Sequence, residues 1–370
     1  MDRDRLARLG TAALPVVAVL SFVAGVALTL AFAGATLGYD FLAYHQAVVR
    51  TLDGAPLYDM SFTETGGFGL FYYPPTFAPL ILPLGLLSAA AATWAWIGGS
   101  LIAFLAGVAV LPVSRSVRWW VILLAGWSFP FVHALKLGQV GPVLFALFAV
   151  GWRWLDAPGP LGLSGALGAA IKIQPGLVLA WALLTRRWTA VLVGAFALAL
   201  LAAASVALAG IGAWTDFLTL LRTVADPITT EKNLTPGAIA YRLGVPVATA
   251  SLIQVASMAA AAAVVLVAIR WASAEASFLV VVVASQLVSP ILWDHYAMLL
   301  LLPVAYLLAA GRWWAIVIPL VTAWPLVDVS PPIVYVVAMW LTMLATLWVG
   351  RSGPRSGPST AASSAAPSAA

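Results

Sequence analysis

Three residues far apart in this sequence are of types that do chemistry where apolar side chains are the rule: Asp40, Lys172 and His295. Asp40 stands in Gly38-Tyr39-Asp40-Phe41, where a long apolar run gives way to a polar stretch. An acidic group near lipid costs free energy unless it is paired or solvated. Deprotonated, it can take a proton from a hydroxyl. In the structural alternative it caps a helix starting at Phe41, and position alone favours the cap. Lys172 lies in Ile171-Lys172-Ile173-Gln174-Pro175, inside an apolar run. A lysine at a bilayer centre costs about 2.5–3.5 kcal/mol, so it faces a cavity or a partner, a lipid phosphate among them, or snorkels to an interface. His295 follows Asp294 between Trp293 and Tyr296. An imidazole beside a carboxylate can hydrogen-bond or neutralise a phosphate, whereas a lone histidine is more often structural. Asp53, before Gly54, reads as a turn residue, and Asp59 as a loop carboxylate.

These residues must be positioned by membrane helices. The chain of 370 residues is 63% hydrophobic and 8% charged, with a mean hydropathy of +1.03, which exceeds what a soluble core would hold. Its class is an all-α polytopic membrane protein. There is no cysteine, which removes disulfides and thiolate chemistry, and the three histidines are too scattered for a metal-ligand spacing, so neither metal nor cofactor is expected. The net charge of +5 sits in short clusters at the ends of apolar runs, which reads as topology and contact with membrane lipids, not nucleic-acid binding.

Apolar segments at 11–37, 75–92, 93–113, 119–135, 140–156, 161–184, 188–210, 246–269, 277–293, 296–311, 313–329 and 332–349 predict about twelve transmembrane helices. The first is longer than the core of a cleaved signal peptide and reads as an uncleaved anchor. Arg186, Arg187, Arg270, Arg312 and Arg351 fall on the N-terminal side in this count, which places both termini in the cytoplasm of a multi-pass cell-membrane protein; Arg115 and Arg118 come out opposite. Loops 38–74 and 211–245 and the Asp294-His295 turn then share the outer face. Residues 41–52 alternate apolar and polar positions in the manner of an interfacial helix. Residues 1–350 form one integral-membrane unit without an internal repeat. Residues 351–370, rich in Ser, Ala, Pro and Gly, read as a disordered cytoplasmic tail.

Asp40-Phe41-x-x-Tyr44, Gly54 with Leu57-Tyr58-Asp59, Tyr73-Pro74-Pro75, Gly138-Gln139, Lys172-x-x-Pro175, and Ser289-Pro290 with Trp293-Asp294-His295-Tyr296 occur here in this order. Together they resemble glycosyltransferase family 87, membrane enzymes of the GT-C fold that use polyprenyl-phosphate sugars. The resemblance implies a hexosyltransferase with Asp40 as general base and a polyprenyl-phosphate mannose donor whose phosphate lies near His295. Lys172 joins His295 as a candidate for that phosphate. Tyr44, Tyr73, Gln139, Asn233 and Asp294 are candidates for substrate contacts, although Gln139 and Asn233 sit at segment ends where they could equally cap helices. The acceptor would be an extracytoplasmic lipid, glycan or protein, and attack opposite the leaving phosphate would invert the anomeric centre. The residues alone also admit a transporter or flippase, or a membrane scaffold.

Overall fold

The computed structural model describes residues 3–62, 69–223, 227–324 and 331–351. It is 78% helical, and no strand occurs among the described residues. Five helices are long and apolar enough to cross a membrane: Ala12–Ala31, Ala89–Val110, Trp188–Ala209, Val247–Trp271 and Ile333–Arg351. A sixth span is possible if Phe129–Leu137 and Gly141–Arg153, which meet at 118°, count as one. The chain is therefore a polytopic membrane protein by length and composition of its helices. Much of the remaining expectation of about twelve spans corresponds to shorter pieces, Pro75–Leu86, Gln174–Leu184, Ala274–Leu287 and Asp294–Ala309 among them.

The reason lies in residues that hydropathy does not weigh. Pro75, Pro79 and Pro83 deny backbone donors in turn, so the segment expected at 75–92 winds as two 3₁₀ turns around a single α turn, and the next long helix starts at Ala89 behind the Ser88 cap. The segment expected at 161–184 is also interrupted. Helix Pro158–Ile171 stops at Lys172, which is extended (φ −140°, ψ 143°), and a 3₁₀ turn at Gln174–Gly176 precedes helix Leu177–Leu184. Pro175 explains the stop, since in a continued helix it has no N–H to donate to the Ile171 carbonyl and its ring would crowd that carbonyl.

The interfacial segment is a helix, Tyr39–Leu52, with Phe41, Ala43, Tyr44, His45, Ala47 and Val48 buried on the core side. It starts two residues earlier than expected, and its N-cap is Gly38 in the left-handed region (φ 69°) without a side-chain cap. Asp40 is thus inside the first turn and is not the cap, which corrects the structural alternative for that residue. Arg351 is the last residue of its helix; the expected tail over 352–370 lies outside the described residues, as do 325–330 of the segment expected at 313–329.

The long helices keep apolar faces outward. In Trp188–Ala209 only Ala190, Gly194 and Ser205 are buried, while Leu192 and Phe196 are open. In Ala274–Leu287, by contrast, every residue from Ala276 to Leu287 is buried. That short helix packs against Ile333–Arg351 and Val247–Trp271, and against Leu177–Leu184 and Leu301–Ala309.

Candidate active site

The broken helices end around one cavity of about 1060 Å³, at the upper end of ordinary ligand sites. Its wall combines Thr36 and the first turns of helix Tyr39–Leu52, the 70–74 loop, the 231–242 region and the 288–296 turn with Lys136, Gln139 and Lys172. The two long polar loops and the Asp294-His295 turn therefore do converge.

One wall is built on the bend between Phe129–Leu137 and Gly141–Arg153. Gly138 closes the first arm with φ 69°, and a Cβ there would lie 2.6 Å from that of Phe41, so only glycine fits. The bend is stitched to the neighbouring helices by backbone groups: Gly38 N–H donates to the Lys136 carbonyl at 2.8 Å, and the Trp96 indole donates to the Gly138 carbonyl at 2.7 Å. This delivers Gln139 to Asp40. Gln139 Nε2 donates to Asp40 Oδ2 at 2.6 Å. Its Oε1 accepts from the Tyr73 hydroxyl at 3.1 Å and the Tyr44 hydroxyl at 3.4 Å, and the two hydroxyls are 2.6 Å apart. A carboxylate only accepts, so the amide must turn its nitrogen to Asp40 and its oxygen to the phenols. Donors therefore run from the tyrosines through Gln139 to Asp40, a chain that fixes the orientation of the carboxylate. Asp40 Oδ1 carries no bond among the described residues and is open to a ligand hydroxyl.

The facing wall is cationic and aromatic. Lys172 Nζ donates to the Tyr296 hydroxyl at 2.8 Å and lies 4.0 Å from the Tyr296 ring centroid and 5.4 Å from that of Tyr73. Such contacts hold an ammonium without neutralising it. Asp40 is within electrostatic range of Lys172, His295 and Tyr296. Ile173, beside Lys172, lines the cavity and is 58% exposed, which gives the cationic wall an apolar exit.

His295 is buried, with Nδ1 at 3.4 Å from Asp294 Oδ1. Its backbone N–H donates to the same oxygen at 2.6 Å. Nε2 is buried without a partner among the described residues, which leaves its hydrogen-bonding capacity unmet. A second imidazole, His133, holds its Nδ1 3.4 Å from the same Asp294 oxygen, and its ring stands nearly perpendicular to that of His295. Sequence reasoning missed His133. The available signal was its place three residues before Lys136 on helix Phe129–Leu137, which puts both on one face.

Asp40, Tyr44, Tyr73, Gln139, Lys172, Asp294 and His295 thus share the cavity wall. Asn233 does not. It is fully buried, donates to the Pro227 and Pro290 carbonyls and accepts from the Thr235 and Leu292 amides. Its amide is fully used as a clamp between two loops, so the expected substrate contact is replaced by a structural one. Asp53 is the C-cap of helix Tyr39–Leu52. Asp59 accepts from the amide and hydroxyl of Ser61, which hold its carboxyl below the usual range. His45 bonds the Leu87 carbonyl. Among the described residues no group of three or more His, Cys, Asp or Glu is placed to hold a metal ion.

Comparison with known proteins gives two matches. The model of glycosyltransferase family 87 covers residues 71–290. A polyprenol-phosphate-mannose-dependent alpha-(1-2)-phosphatidylinositol mannoside mannosyltransferase of Mycobacterium tuberculosis (strain ATCC 25618 / H37Rv) is 28% identical over 311 residues, with 71% of each chain covered. No solved structure matches.

Proposed function

This chain belongs to glycosyltransferase family 87, and we propose that it transfers a mannose from a polyprenyl-phosphate donor to a glycolipid acceptor outside the cytoplasm, with inversion and with Asp40 as general base. That it is a membrane glycosyltransferase follows from the family and the helices. With that membership the transporter and scaffold readings fall away. The choice of mannose, donor and acceptor class leans on the mycobacterial relative, and the GT-C fold on the family resemblance.

The observation that carries the reading is the division of one cavity between a carboxylate with a free oxygen and a cationic wall with an apolar exit. The donor phosphate sits against Lys172 and the His295 imidazole, whose Nε2 is unpartnered, and its polyprenyl chain leaves over Ile173 into lipid. The acceptor hydroxyl hydrogen-bonds Asp40 Oδ1. As the acceptor oxygen forms its bond to the anomeric carbon, the bond from that carbon to the phosphate oxygen breaks on the opposite face. The hydroxyl proton goes to Asp40, and the electron pair leaves with polyprenyl phosphate. Phosphate is already a good leaving group, so what the protein must supply there is positive charge, the role of Lys172.

Sugar transfer from synthetic polyprenyl-phosphate mannose to phosphatidylinositol mannosides tests this directly. The wild type transfers with inverted configuration, and a folded Asp40→Asn variant loses about 10²–10⁴ in rate, the usual worth of a general base. Equal rates in the two proteins would remove Asp40 from the chemistry. Absence of both transfer and donor hydrolysis in the wild type would remove the donor.

A further inference from the structure

Two turns meet in the cavity wall. Helices Pro158–Ile171 and Leu177–Leu184 fold back on one another: a Cβ on Gly168 would stand 2.9 Å from the Pro175 ring, and one on Gly165 2.8 Å from the Leu179 side chain. Lys172 and Gln174 are thus at the tip of a hairpin. The other turn is 288–296, which Asn233 pins by donating to the Pro290 carbonyl and accepting from the Leu292 amide. Two bonds join the tips: Lys172 Nζ donates to the Tyr296 hydroxyl, and Gln174 Nε2 donates to Ser289 Oγ at 3.0 Å.

The second bond fixes how the Gln174 amide is turned. The Ser289 hydroxyl has one hydrogen and gives it to the Ile291 carbonyl at 2.5 Å. Toward Gln174 it can only accept, so the amide presents its nitrogen to Ser289 and its oxygen is left over. Gln174 lines the cavity, and its Oε1 accepts no bond among the described residues and is not sealed from solvent. An amide oxygen is an acceptor only. It repels a phosphate oxygen and calls for a hydroxyl. Resting on the proposed transfer reaction, we infer that Gln174 Oε1 accepts a hydrogen bond from a hydroxyl of the donor sugar, the one on the carbon next to the anomeric carbon, and so helps decide which sugar is transferred. With the phosphate against Lys172, that is the ring hydroxyl nearest the phosphate, and Gln174 stands two residues from the lysine. A fixed acceptor disfavours a sugar that lacks the hydroxyl or carries it in the other configuration, because the amide oxygen is then left unpaired.

Calorimetric titration of the purified full chain in detergent tests this with three lipids: polyprenyl-phosphate mannose, its 2-deoxy-2-fluoro counterpart, whose fluorine cannot donate, and bare polyprenyl phosphate. The wild type should hold the mannose donor about fivefold or more tightly than the fluoro donor, the worth of one hydrogen bond. In Gln174→Met the mannose donor falls to the fluoro level while bare polyprenyl phosphate binds as before. Ser289→Ala frees the amide to turn and narrows the ratio as well. Equal binding of the two sugar donors by the wild type, or a ratio that survives in both variants, overturns the inference. Should Gln174→Met lose bare polyprenyl phosphate, and with it the fold of the tip, the ratio in Ser289→Ala decides. These outcomes leave the reaction standing where the wild type still binds and uses the mannose donor. A wild type that binds none of the three lipids loses the donor itself, and the role of Gln174 with it.

Discussion

Both walls of the cavity grow from a broken helix, but the two breaks are closed in opposite ways. At Leu137–Gly141 a left-handed glycine turns the chain by 118° and backbone groups tie the turn to the helix Tyr39–Leu52 and to Trp96. Its side chains are then spent on one acid: Gln139 donates to Asp40. At Lys172 the chain runs extended, and the polar groups released are caught by side chains from more than a hundred residues away, Lys172 by Tyr296 and Gln174 by Ser289. The first break is rigid and organises a base. The second is held by long side chains and presents a cation, the arrangement a departing phosphate needs if the phosphate is to arrive, gain charge and leave.

If the walls divide the labour in this way, neutralising the second should do damage surpassed only by loss of the base itself. Lys172→Met should slow both sugar transfer and hydrolysis of the donor by about 10²–10³, the range for loss of one transition-state charge contact; equal effects of Lys172→Met and Asp40→Asn on hydrolysis would erase the division. Gln139→Leu comes next. It leaves Asp40 unpositioned and should cost about 10² in transfer while donor affinity, titrated separately, stays within error. Gly138→Ala strikes the rigidity of the first break by forcing a Cβ onto Phe41 in a left-handed backbone. It should lower stability by about 1–3 kcal/mol, read as a lower thermal midpoint in detergent. Smallest is His133→Leu, which removes one of two imidazoles beside Asp294 and should reduce kcat about fivefold, the worth of one partly exposed charge pair. A loss as large as that of Lys172→Met would make His133 a participant and not a support.

Residue type and position carried the site further than they carried the helices. Asp40, Lys172 and His295 are costly in an apolar context, so each had to have a reason, and all three face one cavity. What the sequence hid was partnership. Asn233 looked as available as Gln139, but bonds to Pro227, Pro290, Thr235 and Leu292 consume it, and no local pattern announces contacts across nearly sixty residues. The N-cap was misjudged because acidic residues favour that position, yet Gly38 fits a left-handed entry that Asp40 could reach only at a cost. Hydropathy windows average over prolines and glycines, so the interruptions that build the cavity read as continuous spans.

The bent pair also bears on how this protein is made. Its arms have nine and thirteen residues, about 14 and 20 Å at the helical rise, against a hydrocarbon core of about 30 Å. Neither arm can insert as an independent unit, so both must enter the bilayer together and shelter against the helices synthesised before them. The cationic wall waits longer still, because Tyr296 and His295 leave the ribosome more than a hundred residues after Lys172. A nascent chain stalled before residue 290 would carry Asp40 and Lys172 without the Tyr296 that holds the lysine or the His295 beside it, so the phosphate side of the cavity is completed only late in biogenesis.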